Sequence, residues 1–414
     1  MKREKVVLAY SGGVDTSVGI KWLQDVKGLD VIALCVDIGQ GVELKEIQKK
    51  ALKIGAAKSV VVDARDKFCN EYIARAIKAN AMYEGQYVHS TSLNRPCIVE
   101  IMVQVARKEN AKYVSHGSTG KGNDQVRFEG SAMALAPDLK TIAFAREWGM
   151  TRDEEIDYAA KYGIPLPVTK KSPYSIDLSV WGKSTECGVL EDPWQEPPAD
   201  SQSWAKRIEE TPDKPENVEI GFEKGLPVLL NGKRMKLFTL IEAMNAMAAR
   251  HGIGHVDMVE NRLVGIKSRE TYEAPAATVI IKAHKDLESM VLTRGTMHFK
   301  VLLEERYSEL IYDGLWFSEL RTYLDAFFDK VQEKVNGTVR VKLFKGTAKV
   351  VGRKSPNSLY LRDFATYDKG DQFDHTAAEG FIKIWSLPMK VDAIVAERNR
   401  KKPAPGAGGK KSGK

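Results

Sequence analysis

Short apolar runs alternate with longer amphipathic stretches through the first third of the chain. Residues 6–10, 31–36, 59–62, 113–115 and 141–144 are strand candidates, the first two apolar throughout. Between them, 16–26 and 68–82 carry apolar positions at helical spacing, and 43–54 reads as a helix. Strands alternating with helices of about 10–15 residues predict a parallel sheet covered on both faces. In such sheets a ligand lies beyond the carboxyl ends of the strands, near the point where strand order reverses.

The pattern changes around residues 162–173, where Pro165, Pro167 and Pro173 interrupt it and Pro193, Pro197, Pro198, Pro212 and Pro215 follow. A domain boundary is expected there. Beyond it, 218–222 and 227–230 flank Glu223-Lys224-Gly225, and 339–344 and 348–351 flank Lys345-Gly346. Both read as hairpins. Residues 237–250 and 317–335 have the pattern of long helices, so this half is expected to be α+β. A terminal helix over 376–398 is a candidate subunit contact. No internal repeat is visible.

The chain has 414 residues, above the roughly 250–300 at which a single core stops growing. Two domains are therefore the prior. Hydrophobic residues make up 43% and charged residues 29%, and no stretch approaches the ~20 apolar residues of a membrane helix. Met1-Lys2-Arg3-Glu4 leads straight into a strand pattern, so no signal peptide is expected and a cytoplasmic enzyme is. The net charge of +8 invites a nucleic-acid reading. Seven basic residues and no acidic one lie between Arg398 and Lys414, however, and without them the chain is balanced to within one charge. The charge therefore belongs to a solvated tail, and no nucleic-acid partner is expected. Cys35, Cys69, Cys97 and Cys187 form no Cys-x-x-Cys pair, which argues for reduced core residues rather than a zinc site.

The candidate chemistry begins at Ser11-Gly12-Gly13-Val14-Asp15-Thr16-Ser17, between the first strand and the first helix. Glycines at 12 and 13 are expected to take positive φ and let the backbone approach an anion without a Cβ in the way. Ser11, Thr16 and Ser17 add hydroxyls, and the helix aims its free amides at the same spot. Neither a G-x-x-x-x-G-K-[ST] loop nor a G-x-G-x-x-G fingerprint is present. A second polar segment runs from Tyr113 to Glu129. Gly117, Gly120 and Gly122 expose backbone amides there, Thr119, Asn123 and Asp124 suit the two ends of an amino acid, and Arg127 offers a planar fork to a carboxylate.

Ser-Gly-Gly-x-Asp resembles the pyrophosphate loop of the N-type ATP pyrophosphatases, which cut ATP between its α and β phosphates. The loop alone leaves several members open, among them tRNA-thiolating enzymes, and a nucleotide-binding regulatory protein that has lost catalysis is an alternative from a different class. Tyr113 to Glu129, Thr91-Ser92-Leu93-Asn94-Arg95-Pro96, Val259-Glu260-Asn261-Arg262, Lys267-Ser268-Arg269 and Tyr272-Glu273 together resemble the argininosuccinate synthetase family.

That resemblance implies an N-terminal parallel-sheet nucleotide-binding domain of the adenine nucleotide alpha-hydrolase kind over 1–168. It further implies an α+β synthetase domain over 169–370, an oligomerisation helix over 371–398 and a basic flexible tail over 399–414. It implies ligation of citrulline and aspartate with ATP, giving argininosuccinate, AMP and pyrophosphate through a citrullyl-adenylate, in a homotetramer. Carried over residue by residue, Ala9, Tyr10, Ser11, Gly12, Gly13, Val14, Asp15, Thr16, Ser17, Val36 and Gly117 contact ATP, Val36 through its backbone. Thr119, Asn123 and Asp124 hold aspartate. Tyr87, Ser92, Asn123, Arg127, Ser175, Ser184, Glu260 and Tyr272 hold citrulline. Asp15, Asp124 and Arg95 are the catalytic candidates, with Asp15 helping to hold Mg2+ on the pyrophosphate. Asp124 either orients the attacking amine or accepts its proton. His116 is a pocket-lining or a core histidine. The aromatics Tyr312, Trp316, Phe317, Tyr323, Phe327 and Phe328 are expected in a core or a subunit contact.

Overall fold

A computed structural model describes residues 3–165 and 174–401. Five strands form the first sheet: β1 (Lys5–Ala9), β2 (Asp30–Asp37), β3 (Lys58–Asp63), β4 (Tyr113–His116) and β5 (Lys140–Ala143). Their order is β3-β2-β1-β4-β5 and every pairing is parallel. The central strands β1 and β2 were legible as continuous apolar runs because both of their faces are covered. Val6, Leu8, Val31 and Ala33 pack on one side with Ile20 and Leu23. Val7, Ile32, Leu34 and Val36 pack on the other with Phe68, Tyr72 and Met102.

The remaining strands are β6 (Ser175–Ser179), β7 (Gly182–Glu186), β8 (Glu216–Glu223), β9 (Leu226–Leu230), β10 (Lys233–Arg234), β11 (His255–Asn261), β12 (Lys267–Glu273), β13 (Gly337–Phe344) and β14 (Thr347–Lys354). The two expected hairpins, β8–β9 and β13–β14, join in one antiparallel sheet of order β10-β9-β8-β13-β14. The sheet β11-β12-β7-β6 corresponds to no element the hydrophobic pattern marked. The helix Pro275–Val291 packs its apolar side against β13 and β14. One continuous hydrophobic core runs from Val7 and Leu34 through Trp181 to Val218, Ile280 and Val341.

Three helix expectations shift. The helical stretch expected over 68–82 runs instead from Arg65 to Lys78 and includes a π-helical turn, Phe68–Ile73. It stops because Asn80 turns left-handed, φ 47°, and donates its amide to Glu288 and Glu304 at 2.6 and 2.8 Å. The helix expected over 317–335 is Glu319–Gln332, started by Ser318, whose hydroxyl accepts the Arg321 N–H at 3.4 Å. The single terminal helix is two, Ala377–Trp385 and Leu387–Arg400, broken at Ser386. Pro388 cannot donate to a preceding carbonyl, so it opens a helix rather than continuing one.

Residues 3–359 form one compact unit and 360–401 a second. From Lys402 onward the basic tail lies outside the described residues, as do Pro167 and Pro173. Among the described residues no helix is long and apolar enough to cross a membrane. All four cysteines are free. Cys187 is half-buried rather than in the core; it follows the end of β7 with a positive φ of 76°.

Candidate active site

β1 and β4 are paired although they are far apart in sequence. The loops that leave their carboxyl ends, 10–13 and 117–123, form two walls of a cavity of about 580 Å3. This is the position that the strand order favours for a ligand.

In the first wall, Ala9, Tyr10, Ser11, Asp15 and Thr16 line the cavity. Gly12 takes φ 81°, but Gly13 is extended, at φ −68° and ψ 178°. The expectation of positive φ at both glycines is thus corrected. One left-handed residue turns the chain, and Gly13 takes the usual extended conformation of the residue before a helix. Ser11 Oγ lies 3.2 Å from Thr16 Oγ1 and accepts the Gly13 N–H at 3.3 Å. Lys50 Nζ donates to the Gly12 carbonyl at 2.7 Å. Asp15 sits half-buried in the first turn of the helix Val14–Asp25. Val14 and Ser17 are buried behind this wall, Val14 against Val18, Ala159 and Ile164, and Ser17 3.3 Å from the Tyr10 hydroxyl. Val36 is also on the cavity, and its carbonyl accepts the Gln40 amide at 2.9 Å.

In the second wall, Gly117 is required by packing. A Cβ there would lie 2.8 Å from the ring of Phe144, which is fully buried. Thr119, Asn123, Asp124 and Arg127 line the cavity. Asn123 accepts the Leu263 N–H at 3.0 Å. Asp124 is clamped from two sides. Arg95 reaches one of its oxygens with Nε and Nη2, at 2.9 and 2.7 Å, and Arg127 Nη1 reaches the other at 2.8 Å. Burial alone would raise the Asp124 pKa, but the two guanidiniums outweigh it and hold the carboxyl below its usual range. Arg95 also binds Asp177 from β6. Arg127 donates Nε to the Tyr312 carbonyl at 2.9 Å and lies over the Tyr312 ring.

The third wall comes from β6, β7, β11 and β12, with Ser175, Ser184, Glu260 and Tyr272 on the cavity. Glu260, almost fully buried, accepts the hydroxyls of Tyr272 and Tyr312 at 2.8 and 2.7 Å. The rings of Tyr87 and Tyr272 stack at 4.2 Å. The Tyr87 hydroxyl accepts the Thr91 and Ser92 N–H groups, at 3.0 and 3.1 Å. Ser92 lies behind it, fully buried, donating to the same oxygen at 3.1 Å. Of the residues that the resemblance assigns to ATP, aspartate or citrulline, all but Gly12, Gly13, Val14, Ser17 and Ser92 line this cavity.

Two family descriptions match the chain. "Arginosuccinate synthase N-terminal HUP domain" covers residues 5–165, and "Arginosuccinate synthase C-terminal domain" covers residues 174–392. The chain belongs to the argininosuccinate synthase family. It is 57% identical over 396 residues to the argininosuccinate synthase of Symbiobacterium thermophilum, covering 95% of this chain and 99% of that one. The Geobacillus thermodenitrificans argininosuccinate synthase is 55% identical over 400 residues, covering 97% and 98%. A solved U34-tRNA thiolase from Methanococcus maripaludis aligns over 41% of this chain and 62% of that one at 18% identity. Its TM-score of 0.27 is too low to bear on fold or activity.

The enzyme is therefore an ATP-dependent ligase of arginine biosynthesis. It joins citrulline and aspartate through a citrullyl-adenylate and releases AMP and pyrophosphate. The tRNA-modifying and non-catalytic alternatives that the first loop left open are set aside.

Asp177, Glu186 and Glu270 line the cavity without having been singled out from the sequence. Tyr312, expected in a core or a subunit contact, is buried in a cluster with Tyr87, Met258 and Tyr272 and also donates its hydroxyl to Glu260. Glu186, Glu260 and Glu270 surround one cation, Arg262, so the cluster carries an excess of negative charge when all are ionised. Arg262 Nη2 donates to Glu186 and, at 2.8 Å, to Glu270, and its Nε is 3.8 Å from Glu260. Burial first, then the neighbouring Glu260 and Glu186 charges, push the Glu270 pKa up to about 8. One signal could have found Glu270. It stands two positions before Tyr272 in the same strand and so projects to the same face.

Proposed function

We propose that the three walls divide the substrates among them. In this reading the segment from Ala9 to Ser17, with Val36 and Gly117, holds ATP, its glycine turn and the start of the first helix gripping the pyrophosphate. Thr119, Asn123 and Asp124 hold aspartate. Tyr87, Ser92, Asn123, Arg127, Ser175, Ser184, Glu260 and Tyr272 hold citrulline, with Tyr87 stacked on Tyr272 and Ser92 bonded to the Tyr87 hydroxyl. The observation that carries the reading is that both glycine segments open onto one cavity, with Asp124 and its two arginines beside them. Residues 1–168 are read as the nucleotide-binding domain, which also supplies the aspartate residues and part of the citrulline set, and 169–370 as the synthetase domain that supplies Ser175, Ser184, Glu260 and Tyr272.

The protein's contribution is positioning and charge stabilisation rather than covalent chemistry. Arg95 meets the developing phosphate charge. Asp124 orients the aspartate amine. The two arginines that lower its pKa make it a poor proton acceptor, which favours orientation over general-base action. Asp15 and the hydroxyls of Ser11 and Thr16 are hard oxygen donors on the ATP side of the cavity. They fit Mg2+ held jointly with pyrophosphate oxygens, and that ion would neutralise charge on the leaving group.

The enzyme is further proposed to be a cytoplasmic homotetramer. Supporting this, Phe381, Ile384, Trp385 and Leu387 expose apolar side chains on the two terminal helices. Light scattering of an Ile384→Asp, Trp385→Asp double variant should read a smaller assembly, and an unchanged mass rejects these helices as the contact. The site reading is tested by pyrophosphate release. Sustained release should require both citrulline and aspartate, and release with citrulline replaced by tRNA would reject it.

A further inference from the structure

His116 ends β4 immediately before the second glycine segment and is almost completely buried. Its ring stacks on Phe128 at 5.0 Å with planes 13° apart. Its Nδ1 accepts the Ser118 N–H at 3.2 Å, which places the ring proton on Nε2. Nε2 faces Glu129 Oε1 at 3.5 Å. Arg146 Nη1 stands 2.8 Å from that same oxygen as an ion pair and also donates to Gln125 Oε1 at 2.8 Å. The Gln125 amide then donates to the carbonyls of Gly120 and Gly122, at 2.7 and 3.1 Å. A chain of contacts thus leaves the glycine segment at Ser118, passes through His116, Glu129, Arg146 and Gln125, and returns to the same segment at Gly120 and Gly122.

We propose that His116 and Glu129 are positioning residues for the 117–122 segment, setting the geometry at which Thr119 meets aspartate. The inference rests on the assignment of Thr119 to aspartate made above. Three physical points support it. Glycines at 117, 120 and 122 leave the segment with little intrinsic stiffness, so its shape must be imposed by partners. The chain fixes both ends of the turn, one through a backbone N–H and the other through two carbonyls. His116 Nε2 and Glu129 Oε1 are buried without a hydrogen-bond partner and lie 3.5 Å apart, so the contact between them is electrostatic, and it serves no reacting atom. The Glu129 carboxyl is held below its usual range, first by the His116 imidazole and then by Arg146 against partial burial. It therefore stays an acceptor at neutral pH.

The variants separate the links of the chain. His116→Ala removes both contacts, and His116→Asn keeps an acceptor where Nδ1 stood while losing the reach to Glu129. Arg146→Ala cuts the chain at a partly exposed residue, so it tests the same link without disturbing the core. His116→Ala should raise the aspartate KM about fivefold to tenfold, the loss expected for one hydrogen bond together with a buried electrostatic contact. The citrulline KM should stay within about twofold. His116→Asn should recover much of the loss, and Arg146→Ala should raise the aspartate KM without lowering Tm. The proposal is overturned if none of the variants moves the aspartate KM. It is equally overturned if the aspartate KM, citrulline KM and Tm all shift in parallel, as a general packing defect would make them. Thr119→Val separates the two layers of inference. If it leaves the aspartate KM unchanged, the substrate assignment fails. If it raises that KM while the His116 and Arg146 variants do not, the positioning role alone fails.

Discussion

Arg95 places Nε and Nη2 at 2.9 and 2.7 Å from the same oxygen of Asp124, so one carboxylate oxygen takes both ends of a guanidinium edge. Arg127 occupies the other oxygen. A neutral amide at position 124 would lose both charge-assisted contacts and would turn an NH2 group toward one of the arginines. Such contacts are each worth roughly 1.5–3 kcal/mol. Asp124→Asn should therefore lower kcat/KM for aspartate by about 10- to 100-fold. Citrulline-dependent exchange of labelled pyrophosphate into ATP should largely survive. Equal loss of exchange and ligation would remove Asp124 from the aspartate step.

Gly117 lies under the ring of Phe144, with no room for a methyl group. The ring is buried in a cluster with Tyr10, Ile20 and Ile142 and has nowhere to go. Gly117→Ala should destabilise the fold by about 1–3 kcal/mol, as overpacking of a core usually does. It should also weaken ATP binding, because the displaced segment is one wall of the cavity. Calorimetry and an ATP titration check the two effects. A variant of unchanged Tm and unchanged ATP affinity would show that the wall yields freely.

Glu270 supplies a pH signature. Its folded pKa of about 8 exceeds the ordinary glutamate value of about 4.3, so between those limits the folded chain keeps a proton that the unfolded chain loses. Stability is thereby lost as pH rises through that window, and the loss is complete above about pH 8. Glu270→Gln cannot ionise. Its Tm relative to the parent should climb from pH 5 to pH 8 and level off beyond. A difference that stays constant across this range contradicts the assignment.

Lys300 is almost fully buried, with Nζ 2.6 Å from Glu304 and 3.0 Å from Glu288. Asn80 bridges the same two carboxylates. Lys300→Met leaves Glu288 without its lysine and Glu304 with only Lys285, at 3.6 Å, and breaking a buried ion pair in this way typically costs about 3–5 kcal/mol. Chemical denaturation should register that loss, and adding Glu304→Gln should recover part of it. If the single variant is as stable as the parent, the pair does not carry the charge balance assigned to it.

The sequence determined what is local. An apolar strand, a Ser-Gly-Gly turn and a helix start are contiguous, so the first wall and the ATP chemistry could be read from one short segment. The parallel sheet was equally legible, because burial on both faces writes continuous apolar runs into β1 and β2. The family motifs marked Asp124, Arg127, Glu260 and Tyr272 without fixing what each touches. Only the tertiary structure decided that. In the strands β7, β11 and β12 most buried side chains are polar, namely Lys183, Ser184, Thr185, Glu260, Thr271 and Glu273, with Met258 and Tyr272 the apolar exceptions. They left no hydrophobic signature. The meeting of Arg95 with Asp177, or of Tyr312 with Glu260, joins segments more than fifty positions apart. A charge or a hydroxyl gains such a partner through chain folding, and no spacing rule in the sequence encodes it.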